Sequence, residues 1–194
     1  MVRFVLATAN VHKGNEMRAI LGPLGIELGD RPHGAAEVDE TEDTLEGNAL
    51  LKARALSQTT GLAAIADDTG LFVDALGGQP GVRSARYAGE RASYEDNVVK
   101  LLAELAQTPE PRTARFRTVI AVAYPEGESF SVAGELEGTI AVSARGAGGF
   151  GYDPVFELRG VDRRTLAELS ENEKNVVSHR ARALRALVEE LASR

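Results

Sequence analysis

Two periodicities divide this chain. Short apolar runs predict strands, and apolar positions spaced by three and four predict helices. Residues 3–7, Arg3-Phe4-Val5-Leu6-Ala7, read as a first strand, followed by a polar turn and a helical pattern through Leu21. Gly22-Pro23-Leu24-Gly25 stops that helix, and a second strand is expected over 26–28. Leu45, Ala49, Ala53 and Leu56 fall on one stripe of a helix expected over 44–58. Ala63-Ala64-Ile65-Ala66 then predicts a buried strand that delivers Asp67 and Asp68 into a glycine turn at Gly70. After a second turn signal at 77–81, a helix capped by Ser93 is expected to reach Leu105, with Tyr94, Val98, Leu101, Leu102 and Leu105 facing inward. Strands over 114–124 and 129–137 form a hairpin through Pro125-Glu126-Gly127-Glu128. Val177, Ala181, Leu184, Val188 and Leu191 mark one closing helix, and Ser170 with Glu173 forms a capping box before it.

The adjacent acids at 67 and 68 stand out from this pattern. An ionised carboxylate at the end of a buried strand is costly unless a cation or hydrogen-bond donors compensate it, so a metal or basic groups belong nearby. Side chains alternate along a strand, so one acid can face a cleft while the other is tied into structure. Both could also simply cap a turn.

Composition narrows the chemistry. The 194 residues suffice for one substantial core, or for two lobes sharing one sheet. With no cysteine, disulfides, thiolate catalysis and zinc–cysteine sites are excluded, and three scattered histidines do not make a metal cage. A net charge of -7 argues against a nucleic-acid polymer as partner. No apolar stretch approaches the ~20 residues of a membrane span, and the start lacks a signal-peptide pattern, so a cytoplasmic protein is expected.

Against that background, three further clusters carry candidate chemistry. The turn Thr8-Ala9-Asn10-Val11-His12-Lys13 joins a strand to a helix, an arrangement that aims backbone N–H groups at an anion, with Lys13 adding a full charge. It is not a P-loop, and Thr8 or Asn10 could simply cap the helix. Glu40 precedes the first turn of the next helix and can reach toward Asp68 to complete a site for a hard cation, magnesium or manganese. Lys52, on the flank of that helix, either snorkels to solvent or joins Lys13. Finally, the glycines of Arg145-Gly146-Ala147-Gly148-Gly149-Phe150-Gly151-Tyr152-Asp153-Pro154 let backbone approach something flat, such as a base stacked on Phe150, unless the loop merely packs that ring. Lys174, Ser178, His179 and Arg180 gather donors at the start of the closing helix, where the helix dipole disfavours cations, which implies a ligand that offsets them.

Thr8-Ala9-Asn10-Val11-His12-Lys13, Asp67-Asp68-Thr69-Gly70, Leu76-Gly77-Gly78-Gln79-Pro80-Gly81, Phe150-Gly151-Tyr152-Asp153-Pro154, and Lys174 followed by Ser178-His179-Arg180 together resemble the inosine triphosphate pyrophosphatase family over nearly the whole chain. Ala9 departs from the glycine common at that place in the family. The resemblance implies an α/β fold, an elongated mixed sheet flanked by helices, forming a single domain over 1–194 with two lobes around a central cleft. It implies hydrolysis of the triphosphates of inosine, deoxyinosine and xanthosine to the monophosphate and pyrophosphate, by a magnesium-dependent homodimer. Asp68 would be the general base and, with Glu40 or Asp39, the metal ligand, Glu40 being preferred. Lys13 and Lys52 would stabilise the phosphoryl oxygens, Thr8 and Asn10 would position the phosphates, and Ala9, Val11, His12 and Thr69 would join them in binding the substrate. Phe150, Gly151, Tyr152, Asp153, Lys174, His179 and Arg180 would surround the base. Two other readings remain. The Asp67-Asp68-Thr69-Gly70 string superficially echoes haloacid-dehalogenase-like phosphatases, whose paired aspartates are spaced differently, and a catalytically inactive nucleotide-binding regulator would keep the pocket without turnover.

Overall fold

The computed structural model describes residues 2–32, 34–35, 38–160 and 163–194. Among them run strands β1 (Val2–Leu6), β2 (Ile26–Gly29), β3 (Ala64–Val73), β4 (Pro80–Gly81), β5 (Thr113–Ala123), β6 (Ser129–Ile140) and β7 (Phe156–Leu158). The helices are α1 (Val11–Leu21), α2 (Leu45–Thr60), α3 (Tyr94–Glu104), α4 (Glu171–Val177) and α5 (His179–Ser193). The strands pair in the order β2-β1-β3-β5-β6-β7, with β4 added on β3. Since β1 is parallel to β2 and β3 while β3–β4 and β6–β7 are antiparallel, the fold is α/β with a mixed open sheet flanked by helices. No helix among the described residues is long and apolar enough to cross a membrane.

The chain divides into two compact units, one of Met1–Asp68, Thr118–Gly134 and His179–Arg194, the other of Thr69–Arg117 and Glu135–Ser178. Each has its own apolar core. In the first, Phe4, Leu6, Met17, Leu21, Ile65, Ile120 and Leu184 pack together. In the second, Leu71, Val73, Leu101, Leu105, Phe116, Ile140, Phe156 and Leu166 do so. The helix ends follow from local chemistry. Thr44 accepts the Gly47 N–H to start α2, and Gly61, in the left-handed conformation at φ +64°, ends it. The expected stripe of Leu45, Ala49, Ala53 and Leu56 is buried. Ser93 and Asp96 exchange hydrogen bonds at the start of α3, and Ser170 and Glu173 do the same at α4.

Three expectations fail on tertiary grounds. β3 does not turn at Gly70 but runs straight through Asp67 and Asp68 to Val73. Gly70 is required for another reason: a Cβ there would lie 2.6 Å from the Gly81 carbonyl oxygen of β4. The closing helix is two helices, because Ser178, at ψ 159°, is extended and breaks the axis between α4 and α5. The apolar spacing continues across the break and so conceals it. Tyr94, expected inward, is 42% exposed at the first position of α3.

The second helix of that pair imposes its own steric demand. A Cβ at Gly134 of β6 would sit 2.2 Å from the Ala183 backbone nitrogen and 2.4 Å from the His179 carbonyl oxygen. Neither is a flexible side chain. Gly134→Ala is therefore expected to cost about 2–3 kcal/mol, read as a lower midpoint in chemical denaturation.

Candidate active site

In the first unit, β1 leads through a polar turn into α1. Asn10 N–H donates to Thr8 Oγ1 at 3.1 Å, and Asn10 Oδ1 accepts the N–H groups of His12 and Lys13 at 3.0 and 3.3 Å. The turn is thus pre-formed by its own side chains. Ala9, Val11 and His12 are exposed along it, and Lys13 projects from the first helical turn with its side chain 18% exposed.

Asp67 and Asp68 find different partners. Asp67 is 1% exposed, and its Oδ2 lies 3.1 Å from Lys13 Nζ and 3.1 Å from Arg180 Nη2. Arg180, itself buried at the start of α5, also pairs with Glu16 of α1. These four groups are two cations and two carboxylates. Burial alone would raise the Asp67 pKa, but Lys13, Arg180 and Lys52 outweigh it and hold the carboxyl well below the usual range.

Asp68 belongs to a second cluster. Lys52 Nζ lies 3.0 Å from Asp68 Oδ1 and 2.9 Å from Glu40 Oε1, which draws the strand acid and the loop acid onto one ammonium. The loop that carries Glu40 is fastened to α2 by buried Asn48, which accepts the Glu42 N–H and donates to the Glu42 carbonyl. Lys52 thus meets two acids at once. Burial raises the Asp68 pKa, Lys52 and Lys13 oppose that, and the neighbouring Glu40 adds to it, with a net upward shift. Burial lowers the Lys52 pKa, but Asp68, Asp67 and Glu40 outweigh it and raise it. Asp68 Oδ2 is buried and has no hydrogen-bond partner among the described residues.

That orphaned oxygen, beside a second carboxylate on the same lysine, fits a hard divalent cation. No group of three or more histidines, cysteines or acids gathers as a metal cage among the described residues. Magnesium needs no such cage, since it takes one or two carboxylates and fills its remaining positions with water and substrate phosphate.

The remaining candidates divide between the units. His179, at the start of α5, is buried with Nδ1 2.6 Å from Thr118 Oγ1 of β5. In the second unit, Thr69 is half-buried on β3. Phe150, Gly151, Tyr152 and Asp153 share one loop. Asp153 is buried, accepts the Phe150 N–H at 2.8 Å and pairs with buried Lys174, whose Nζ sits 4.6 Å from the centroid of the Phe150 ring. Tyr152 is 5% exposed and donates its hydroxyl to the Ser84 carbonyl at 2.8 Å, which anchors the loop. The glycines do admit a close approach, but to protein: a Cβ at Gly146 would strike the Ala167 carbonyl, and one at Gly149 the Asp153 carboxylate.

The break at Ser178 also corrects the dipole argument. Lys174 falls in the last turn of α4, where a cation is favoured, and Arg180 is offset by Asp67 and Glu16. No ligand is needed to explain that cluster. Asp67 and Glu16 are the members that sequence reasoning left without a part. The spacing of Lys13 and Glu16, three apart on one helix face, is the signal that was available.

Comparison with known proteins places this arrangement in context. The Ham1 family model matches residues 4–190. A dITP/XTP pyrophosphatase of Symbiobacterium thermophilum is 52% identical over 190 residues, covering 97% of this chain and 94% of the relative. One of Geobacter sulfurreducens is 51% identical over 195 residues, covering 98% and 97%. Among solved structures, a HAM1 protein from Coxiella burnetii has a TM-score of 0.89 at 39% identity over 100% of both chains. The Staphylococcus aureus Ham1 protein has 0.86 at 37% over 98% of each.

Proposed function

This chain belongs to the Ham1 family, and on that premise we propose that it hydrolyses non-standard purine nucleoside triphosphates, those of inosine, deoxyinosine and xanthosine, to the monophosphate and pyrophosphate. The observation that carries the chemistry is the gathering of Asp68 and Glu40 on one lysine, with a buried Asp68 oxygen available. Asp68 takes the proton from the attacking water, a role helped by a carboxyl that burial and Glu40 hold above its usual range. Lys13, at the opening of α1, and Lys52 meet phosphoryl oxygens. Thr8 and Asn10 keep the turn in shape so that the phosphates meet a rigid surface. Asp68 and Glu40 are the residues that would hold magnesium, which when bound neutralises charge on the triphosphate.

Recognition of the base rests on Phe150, by stacking, with Asp153 and Lys174 held against that ring as its polar neighbours; His179 is a further candidate donor. Arg180 is another, since its pairs with Glu16 and Asp67 do not exhaust the five N–H groups of a guanidinium. An oxygen at the purine 6-position accepts where adenine donates, so N–H donors around it leave adenine mispaired. The same reading makes the protein a cytoplasmic homodimer, a state that light scattering checks directly.

The test is product release from inosine triphosphate and from ATP, with magnesium or with EDTA. Pyrophosphate is expected from inosine triphosphate at least about a hundredfold faster than from ATP, and only with magnesium. Orthophosphate as the sole product would favour a phosphatase instead. Nucleotide binding without turnover would make the chain a regulator.

A further inference from the structure

Tyr94 is a large aromatic residue left 42% exposed. An isolated exposed aromatic means little. This one has two properties that set it apart. Its backbone is locked, since it follows Ser93, whose hydroxyl accepts the Asp96 N–H at 3.1 Å while Asp96 Oδ2 accepts the Ser93 N–H at 2.8 Å. Its ring also lies 5.9 Å from that of Phe150, tilted by 44°. Two aromatic rings on separate elements, α3 and the glycine-rich loop, therefore form one platform within the second unit.

The platform has a defined back. The Lys174 ammonium covers one face of Phe150 and is tied to Asp153, which in turn holds the Phe150 N–H. A flat ligand stacked on Phe150 must use the opposite face or its rim. A tilted neighbour at that distance then meets the ligand's edge or its sugar. Tyrosine suits the task, because it offers a rigid apolar ring with few rotatable bonds and a polar tip that tolerates water.

We propose that Tyr94 is a substrate-contacting residue, forming with Phe150 an aromatic platform for the purine nucleoside. This rests on the reading of Phe150 as the base-stacking residue. Tyr94 contributes to binding and not to the bond-breaking step, so its loss acts on KM and leaves kcat in place.

Tyr94→Ala is expected to raise KM for inosine triphosphate about fivefold to tenfold, at unchanged kcat. Tyr94→Phe, which keeps the ring, is expected to hold the original KM. The chain contains no tryptophan, so Tyr94→Trp introduces a single one, and titration with inosine monophosphate is expected to quench its fluorescence saturably. An unchanged KM in Tyr94→Ala overturns the proposal, as does a Tyr94→Trp signal indifferent to the nucleotide. Phe150→Ala separates the two levels of the inference. If it raises KM while Tyr94→Ala does not, the Tyr94 contact alone is wrong. If Phe150→Ala leaves KM unchanged, the base-stacking reading fails and the Tyr94 assignment fails with it.

Discussion

Asp68→Asn is expected to lower pyrophosphate release from inosine triphosphate by about a thousandfold or more, because in the proposed mechanism it removes the base and one of the two carboxylates that would hold the metal. The same variant is expected to be no less stable than the original protein when melted in EDTA. Asp68 is buried, and folding raises its carboxyl pKa above the ordinary carboxylate value. The sign follows from proton linkage: with a raised folded-state pKa, ionisation removes stability as pH climbs past the ordinary carboxylate value of about 4. Asparagine carries no such charge, so a Tm at neutral pH equal to or above the original is the expected melt. Lys52 keeps Glu40 as its counter-ion. Activity retained within tenfold would remove Asp68 from the base role, and a large fall in Tm would assign it a structural one.

The neighbouring residue is expected to behave in the opposite way. Asp67→Asn leaves Lys13 and Arg180 without the carboxylate that they share, and only Arg180 has Glu16 in reserve. Removing one partner from a buried charged group costs about 3–5 kcal/mol. For a chain of this size that corresponds to a fall in Tm of about 10 °C. Here the folded-state pKa is depressed, so the stability contributed by Asp67 is present above about pH 4 and is lost as pH falls below it. The gap between variant and original in thermal melts should accordingly narrow in acid. A Tm within about 2 °C of the original at pH 7 would mean that the lattice around Asp67 merely balances its own desolvation.

That two adjacent aspartates have separate fates was legible in the sequence, because the alternation of side chains along a strand needs no knowledge of the rest of the fold. That Glu40 can reach toward Asp68 was legible too, from its position ahead of the first turn of α2; that the two acids meet on Lys52 was not. The surroundings of Arg180 were not. Its partners Asp67 and Glu16 lie 113 and 164 positions away, and no local pattern encodes such a meeting. Local reasoning saw cations at an unfavourable helix end and invoked a ligand, whereas the fold supplies its own anions. The break at Ser178 was hidden for a related reason: a single extended residue leaves apolar spacing intact on both sides. Gly70 misled in the other direction, since a glycine after two polar residues resembles a turn until the carbonyl of Gly81 is seen above it.

The four letters Asp67-Asp68-Thr69-Gly70 therefore answer to two unrelated demands, one of charge and one of room, although they read as a single signature. A survey of substitutions scored by survival alone would find 67, 68 and 70 equally intolerant and would credit all three to chemistry. Scored by how much folded enzyme accumulates in the cell, the first and last would fail and the middle one would pass, so turnover lost without loss of protein is the signature that the proposed role of Asp68 predicts.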